Sequence, residues 1–225
     1  TPADCRRQRQ MCIRDRPVDV PRRSNREFAA KLPDIVRRDR NFRRFLVARS
    51  LMALGNLGIG FVTVAAIQRW QVPDGTVGLY TIASLLGQAA GNLTFGLLAD
   101  RFGHKLSLEF GALASVLALV LALAAPSAEG FYVVFFLMGM TTGAVIVSGI
   151  LVVLEFSEPQ RRPTYAGMAN TAVGLVSLVA PLLGAWLAVA GYGWVFAASI
   201  AVNLAAFVAM RWWVQEPRWT EAVKL

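Results

Sequence analysis

Few residues of this chain are of the types that carry out covalent chemistry. Its only histidine is His104, and its only cysteines, Cys5 and Cys12, lie near the N-terminus. A zinc site of the H-E-x-x-H type needs two histidines on one helix, and a serine hydrolase needs a histidine beside its serine. Two cysteines in a segment without apolar periodicity support neither a disulfide framework nor a metal site. The sequence therefore predicts no catalytic residue, no metal, no cofactor and no enzyme.

Charged residues offer the remaining chemistry, and they stand at the ends of long apolar runs. Asp100, Arg101 and Lys105 lie between the second and third runs, and Glu155 and Arg162 follow the fourth. Charges next to a membrane are costly unless they are paired. These side chains are therefore candidates for ion pairs between segments.

Glu109 and Arg49 are charged residues that lie inside the apolar runs themselves. Glu109 follows Lys105 by four residues, the spacing at which side chains meet on a helix, so an ion pair with Lys105 is its simplest explanation. This interpretation leaves no firm proton-binding site in the chain. Arg49 lies about one turn from the start of the first run, and its long side chain is predicted to reach out to lipid phosphates.

The apolar runs have the length of membrane-spanning helices. The chain has 225 residues and is 56% hydrophobic and 16% charged, whereas soluble domains are about a quarter charged. A helix rises about 1.5 Å per residue and the hydrocarbon core is about 30 Å thick, so about 20 apolar residues cross it. The sequence predicts an all-α integral membrane protein, a six-transmembrane-helix bundle within residues 45–214, with helices at 45–67, 76–98, 106–126, 131–154, 165–189 and 194–214.

Basic residues are distributed unevenly between the two ends of these helices. Arg69 is the only Lys or Arg in the connections 68–75, 127–130 and 190–193. The other connections and the two termini hold nearly all the rest, and Lys and Arg mark the cytoplasmic side. Both termini are therefore predicted in the cytoplasm, in a multi-pass protein of the cell membrane. Because basic groups beside spans do not form a solvated, folded binding face, the lipid bilayer is the predicted partner and nucleic acid is not.

The two ends of the chain carry no predicted chemistry. Residues 1–16 are predicted to be a sequencing-adapter artefact or a disordered tail. Residues 17–44 are predicted to be a cytoplasmic basic amphipathic segment, in which Ser24 and Glu27 fit a capping box and Pro33 would interrupt the helix. Residues 215–225 are predicted to be a cytoplasmic tail.

The connection between the second and third runs, from Gly96 to Leu108, reads GLLADRFGHKLSL. It resembles the signature G-x-L-a-D-r-x-G-r-k-x-x-l of the major facilitator superfamily, which lies between the second and third spans of a six-span half. His104 departs from the pattern, because the family usually has Arg there. The positions in register are Gly96, Leu98, Ala99, Asp100, Arg101, Gly103, Lys105 and Leu108. On physical grounds, Gly96 is expected to let two helices approach closely and Gly103 to permit a tight turn.

The resemblance implies one half of that family's fold, with six helices in two inverted three-helix repeats. It implies a secondary transporter that moves a small-molecule substrate across the membrane by alternating access, with H+ or Na+ as a conceivable coupling ion. The basic segment before the first span looks like the family's central linker, so the chain is interpreted as a fragment, the C-terminal half, with the other six-span half missing. A half-size transporter working as a homodimer is the alternative, and an intramembrane enzyme is a distant one.

The family uses charge clusters at this connection to latch one conformation of the transport cycle. The resemblance therefore implies a gating role here, and the alternative is that the charges only anchor loops at the lipid headgroups. The residues concerned are Gly96, Asp100, Arg101, Gly103, Lys105, Glu155 and Arg162.

Uncharged polar residues inside the spans are candidates for facing the substrate. Hydrogen bonding between helices is the alternative for each of them. The candidates are Asn56, Gln88, Asn92 and Asn170. Pairs of small residues at helix-packing spacing are instead predicted to let helix backbones approach closely: Gly87 and Gly91, Gly139 and Gly143, Gly184 and Ala188.

Overall fold

The computed structural model of the chain describes residues 39–216. Within that range every regular element is helical, and six helices are long and apolar enough to cross a membrane. The predicted all-α bundle of six spans is therefore confirmed. The interpretations of residues 1–16, of the amphipathic segment before residue 39 and of the tail beyond residue 216 lie outside the described residues.

Three of the six spans contain a break or a change of helical form. The first span, Arg40–Trp70, consists of α-helices Arg40–Gly55 and Ile59–Trp70 joined by the 3-10 turn Asn56–Gly58. The fourth consists of Gly130–Ser148 and Leu151–Glu155, and the sixth of Tyr192–Val208 followed by a π-helical turn, Ala209–Trp213. The others are Asp74–Phe102, His104–Ala124 and Arg162–Ala188, the last preceded by the 3-10 turn Pro159–Arg161.

The first span begins five residues before the predicted start at 45. Asp39 caps its helix, because the carboxylate accepts a hydrogen bond from the Phe42 backbone N–H at 2.9 Å. Phe42 and Phe45 are both fully buried, and each packs against Phe156 at the end of the fourth span. Residues 40–44, predicted as part of a surface segment, therefore belong to the bundle.

The six spans form two groups, spans one to three and spans four to six, which pack against each other. The first span lies against the fifth and sixth, the fourth lies against the second and third, and the third and sixth lie against each other. This pattern maps onto itself when spans one to three are exchanged with spans four to six. It is the arrangement expected of two three-helix repeats.

The second and fourth spans approach most closely, through glycines. A Cβ on Gly91 would lie 2.7 Å from the Met140 carbonyl oxygen, and one on Gly143 would lie 2.7 Å from the Asn92 nitrogen. Gly87 and Gly139 leave still less room, against the carbonyl oxygens of Phe136 and Ser84. These contacts confirm that the two glycine pairs serve helix packing.

A polar cluster joins the first, third and sixth spans where the first span breaks. A Cβ on Gly55 would lie 2.5 Å from Cγ of Asn203, and one on Gly58 would lie 2.5 Å from Oγ of Ser199. The buried Asn203 amide donates a hydrogen bond to Oγ of Ser115 at 3.3 Å. Two glycines thus admit polar side chains of the sixth span against the 3-10 turn.

Candidate functional site at the second-to-third span connection

The connection between the second and third spans is a single residue, Gly103. Its φ of +101° and ψ of 153° form a conformation that is essentially restricted to glycine. Its N–H donates to the Ala99 carbonyl at 2.8 Å and so closes the second helix. A Cβ here would lie 2.6 Å from Oε1 of Glu216, which follows the sixth span. The predicted tight turn is therefore confirmed, and it also makes room for a carboxylate.

A charge cluster just after this turn consists of the buried Lys105 and Glu109 of the third span and the exposed Arg211 of the sixth span. Nζ of Lys105 lies 3.0 Å from Oε1 of Glu109, so the predicted i,i+4 ion pair is confirmed. The second carboxylate oxygen lies 3.7 Å from Nη1 of Arg211 in the π-helical turn of the sixth span. Glu109 is 3% exposed and Lys105 is 7% exposed, so the pair is largely removed from solvent.

Two further side chains fix the turn to neighbouring spans. The buried hydroxyl of Ser107 donates to the Phe95 carbonyl at 2.8 Å, which bridges the second and third helices. Nδ1 of His104 lies 3.3 Å from Oγ of Ser148, the last residue of the first helix of the fourth span. His104, which departs from the family pattern, therefore has a defined contact of its own.

Gly96 does not have the role that the sequence predicted for it. A Cβ at this position would meet a single atom within 4 Å, Cγ1 of Val147 at 4.0 Å, which is an ordinary contact. The close approach between the second and fourth spans lies earlier in the second span, at Gly87 and Gly91. The helices have diverged by Gly96, and alanine would fit there.

The other four charged residues of the predicted gate lie at the ends of three helices. Asp100 and Arg101 end the second helix at exposed positions, and the Arg101 guanidinium lies 5.5 Å from the Phe102 ring centroid. Glu155 ends the fourth span and is half-buried, while Arg162 begins the fifth-span helix and is exposed. The ion pairs given above do not include Arg101 or Arg162, so a latch formed by these four residues stays a prediction.

The substrate-facing candidates fall into two places. Gln88 and Asn92 are half-buried, one turn apart, on the part of the second span that packs against Gly143. Oδ1 of Asn92 is buried and has no hydrogen-bond partner among the described residues. Asn56 opens the 3-10 turn of the first span, and Asn170 is exposed on the fifth span, which packs against the first. Their role stays a prediction.

Arg49 does not reach out to lipid as the sequence predicted. It is 9% exposed, and Nη2 lies 3.2 Å from the position of a Cβ on Gly149, where the fourth-span helix breaks. A cation at a helix C-terminus is stabilised by the helix dipole. Because the break in the fourth span is not visible in its sequence pattern, this position could not be predicted.

Six membrane-length helices, which form two groups of three packed against each other, define a multi-pass membrane protein. The chain belongs to the Major Facilitator Superfamily, whose family model matches residues 45–224. That family consists of transporters rather than enzymes.

Several transport proteins are similar in sequence to part of the chain. It is 30% identical over 161 residues to solute carrier family 22 member 1 of Oryctolagus cuniculus, a match that covers 66% of this chain and 28% of that protein. It is 30% identical over 100 residues to the multidrug resistance protein MdtL of Shewanella oneidensis, covering 44% of this chain and 25% of that protein. It is 29% identical over 111 residues to the 4-hydroxybenzoate transporter PcaK of Pseudomonas aeruginosa, covering 49% and 25%. The chain thus matches about a quarter of the length of these relatives.

Proposed function

We propose that this chain is one six-span half of a secondary transporter that moves a small molecule across the cell membrane by alternating access. The observation that carries the proposal is the family signature at the Gly103 turn. It lies in a bundle of two three-helix groups that pack against each other. Transporters of this kind bind substrate near the midplane, between halves that rock against each other. The relatives' names include a multidrug resistance protein and a 4-hydroxybenzoate transporter, so 4-hydroxybenzoate and a panel of drugs are the first substrates to test.

A second six-span unit would complete the transport path. The fifth span is the least buried of the six, and Leu178, Leu182 and Trp186 on it are each about 70% exposed. One bundle cannot enclose a midplane site between two halves. The missing unit is proposed to be the other half of the same polypeptide, joined to this C-terminal half.

The test compares uptake in proteoliposomes by this chain and by the parent protein encoded by the source DNA. Uptake of a panel substrate by the parent and none by the chain supports the proposal. Uptake by the chain alone, with native mass spectrometry showing two copies, would replace it with the homodimer. A parent that transports nothing on the panel but hydrolyses a substrate would overturn both.

The signature segment, Gly96–Leu108, is proposed to lie in the cytoplasm, with both termini on the same side. The test replaces Cys5 and Cys12 with serine and places single cysteines at Gln160 and, separately, at Ser127. An impermeant thiol reagent applied to intact cells should label Ser127→Cys, and Gln160→Cys only after lysis. The opposite pattern would reverse the orientation.

The charges of the signature segment are proposed to bias inward- against outward-facing states. In the parent protein, Asp100→Asn should reduce transport while expression stays near the parental level. The matched control is Asp74→Asn, at the other end of the second span. Unchanged transport in Asp100→Asn would favour the alternative in which these charges only anchor a loop. Collapsing the H+ and the Na+ gradient in turn would identify the coupling ion.

A further inference from the structure

A cavity of about 360 Å³ lies at the end of the bundle opposite to the signature segment. The ends of the first, third, fourth and sixth spans line it. Its walls include Ala65, Ala122, Phe131 and Phe196, all of them buried and apolar. Known ligand pockets span about 300–1,000 Å³ and are mostly apolar with a few polar groups. This half-open cavity falls within that range of volume and has a mostly apolar lining.

The mouth of the cavity is polar and carries one cation. Gln68 and Arg69 contribute to it and are exposed, and Tyr192 is half-buried beside them. The Arg69 guanidinium lies 4.7 Å from the Trp70 ring centroid, which leaves its N–H edge for another partner. In the part of the chain that the structure describes, no ion pair is formed by Arg69. An apolar space with a single cation at its entrance fits a ligand with an apolar body and an anionic head.

We propose that this cavity binds a phospholipid, with one acyl chain inside it and the phosphate at Arg69. The site lies at the ends of four spans, where Trp70 and the exposed Trp194 provide the amphipathic rings typical of a membrane surface. A small water-soluble anion would lose its hydration against apolar walls without gaining enough donors. An acyl chain loses nothing there, and the planar guanidinium suits a phosphate.

Gly193 offers a way to fill the cavity without disturbing the fold. Gly193 lies at the mouth of the cavity, in the first turn of the sixth-span helix. A Cβ at this position would meet only Cδ2 of Leu123, at 4.0 Å. Gly193→Leu should therefore place a side chain where the lipid chain enters. Gly78→Leu is the matched control, because Gly78 is exposed on the second span near the same membrane surface and has open space around it.

The experiment measures lipid retention by the delipidated full chain with native mass spectrometry, using palmitoyl-oleoyl-phosphatidylglycerol as the probe. Arg69→Gln should weaken retention of one lipid about fivefold, the value of one arginine beside an anionic headgroup. Gly193→Leu should weaken it on the order of tenfold, because the inserted side chain takes the space of the acyl chain, which loses its packing contacts there. Gly78→Leu and Arg43→Gln, an exposed cation at the other membrane surface, should retain the lipid.

A diacylglycerol with the same two acyl chains separates the headgroup from the chain. Its retention should be unchanged by Arg69→Gln and reduced by Gly193→Leu. Equal loss of both probes in Arg69→Gln would show that the arginine does not read the phosphate and would overturn the proposal. Full retention of phosphatidylglycerol in Gly193→Leu would also overturn it, since the cavity would then not be the site.

Discussion

Glu109 joins the third span to the sixth, because one carboxylate oxygen lies 3.0 Å from Nζ of Lys105 and the other lies 3.7 Å from Nη1 of Arg211. Lys105 and Glu109 lie within the first two turns after Gly103, and the hydroxyl of Ser107 between them donates to the Phe95 carbonyl of the second helix. The signature segment is thereby fastened to the π-helical end of the sixth span. In the proposed transport cycle, motion of that end would have to break this cluster or carry it along.

Glu109→Gln should lower the stability of the chain markedly. The substitution removes the carboxylate that pairs with the buried Lys105 ammonium among the described residues, and breaking a buried pair in this way costs about 3–5 kcal/mol. Thermal unfolding in detergent should show a clear drop in Tm. Asp74→Asn, an acidic residue exposed at the other membrane end, is the control and should leave Tm unchanged. An unchanged Tm for Glu109→Gln would show that the cluster does not stabilise the bundle.

Gly103→Ala and Gly96→Ala should differ sharply although both lie in the signature segment. At Gly103 an alanine is strained by about 1–3 kcal/mol, and its Cβ would also meet the Glu216 carboxylate at 2.6 Å. At Gly96 the same change should be neutral or stabilising, because alanine favours a helix by about 0.5–1 kcal/mol over glycine. Thermal unfolding of the two variants tests this contrast. Equal loss in both would contradict the geometry of the Gly103 turn.

Gly139→Ala should disrupt the contact between the second and fourth spans. Its Cβ would meet the Ser84 carbonyl oxygen and, at 2.8 Å, the Gln88 nitrogen, and backbone atoms cannot move aside cheaply. Overpacking of this kind costs about 1–3 kcal/mol. Gly174→Ala in the fifth span is the control, since Gly174 has open space around it. A Tm of Gly139→Ala equal to or above that of Gly174→Ala would contradict the prediction.

Asn92→Leu should separate a substrate contact from a packing contact. Because Oδ1 of Asn92 is buried without a hydrogen-bond partner among the described residues, its removal deletes an unsatisfied acceptor and should not lower the free energy of unfolding. In the parent transporter, substrate affinity should fall about fivefold, the value of one hydrogen bond.

Asn203→Ala provides the contrasting case. The Asn203 amide is buried and bonded to Ser115, so its removal should destabilise the bundle by about 1–3 kcal/mol. Unchanged substrate affinity in Asn92→Leu would assign Asn92 to helix packing instead. A more stable Asn203→Ala would show that the polar cluster does not hold the first and sixth spans together.

Local features of this chain were predictable because they depend on residues close in sequence. Six apolar runs of sufficient length give six spans, since an apolar helix in lipid satisfies its own backbone. Glu109 follows Lys105 by four residues, so the helix itself brings them together. Gly103 is the single residue between the second and third span helices, and its positive φ is essentially restricted to glycine.

Contacts between spans were decided by the tertiary structure alone. Arg211 and Glu216 reach the signature segment only because the third and sixth spans pack together, and no local pattern pairs them. Gly96 and Gly87 look alike in the sequence, yet only Gly87 lies where the second and fourth helices touch. The burial of Arg49 likewise depends on a break in a distant span. The sequence by itself determined the class of protein and its spans, because length, hydropathy and i,i+4 spacing act locally. The contacts of the buried charges beyond their own helix, Arg211 for Glu109 and the Gly149 break for Arg49, were decided by helix packing, which brings together residues far apart in the chain.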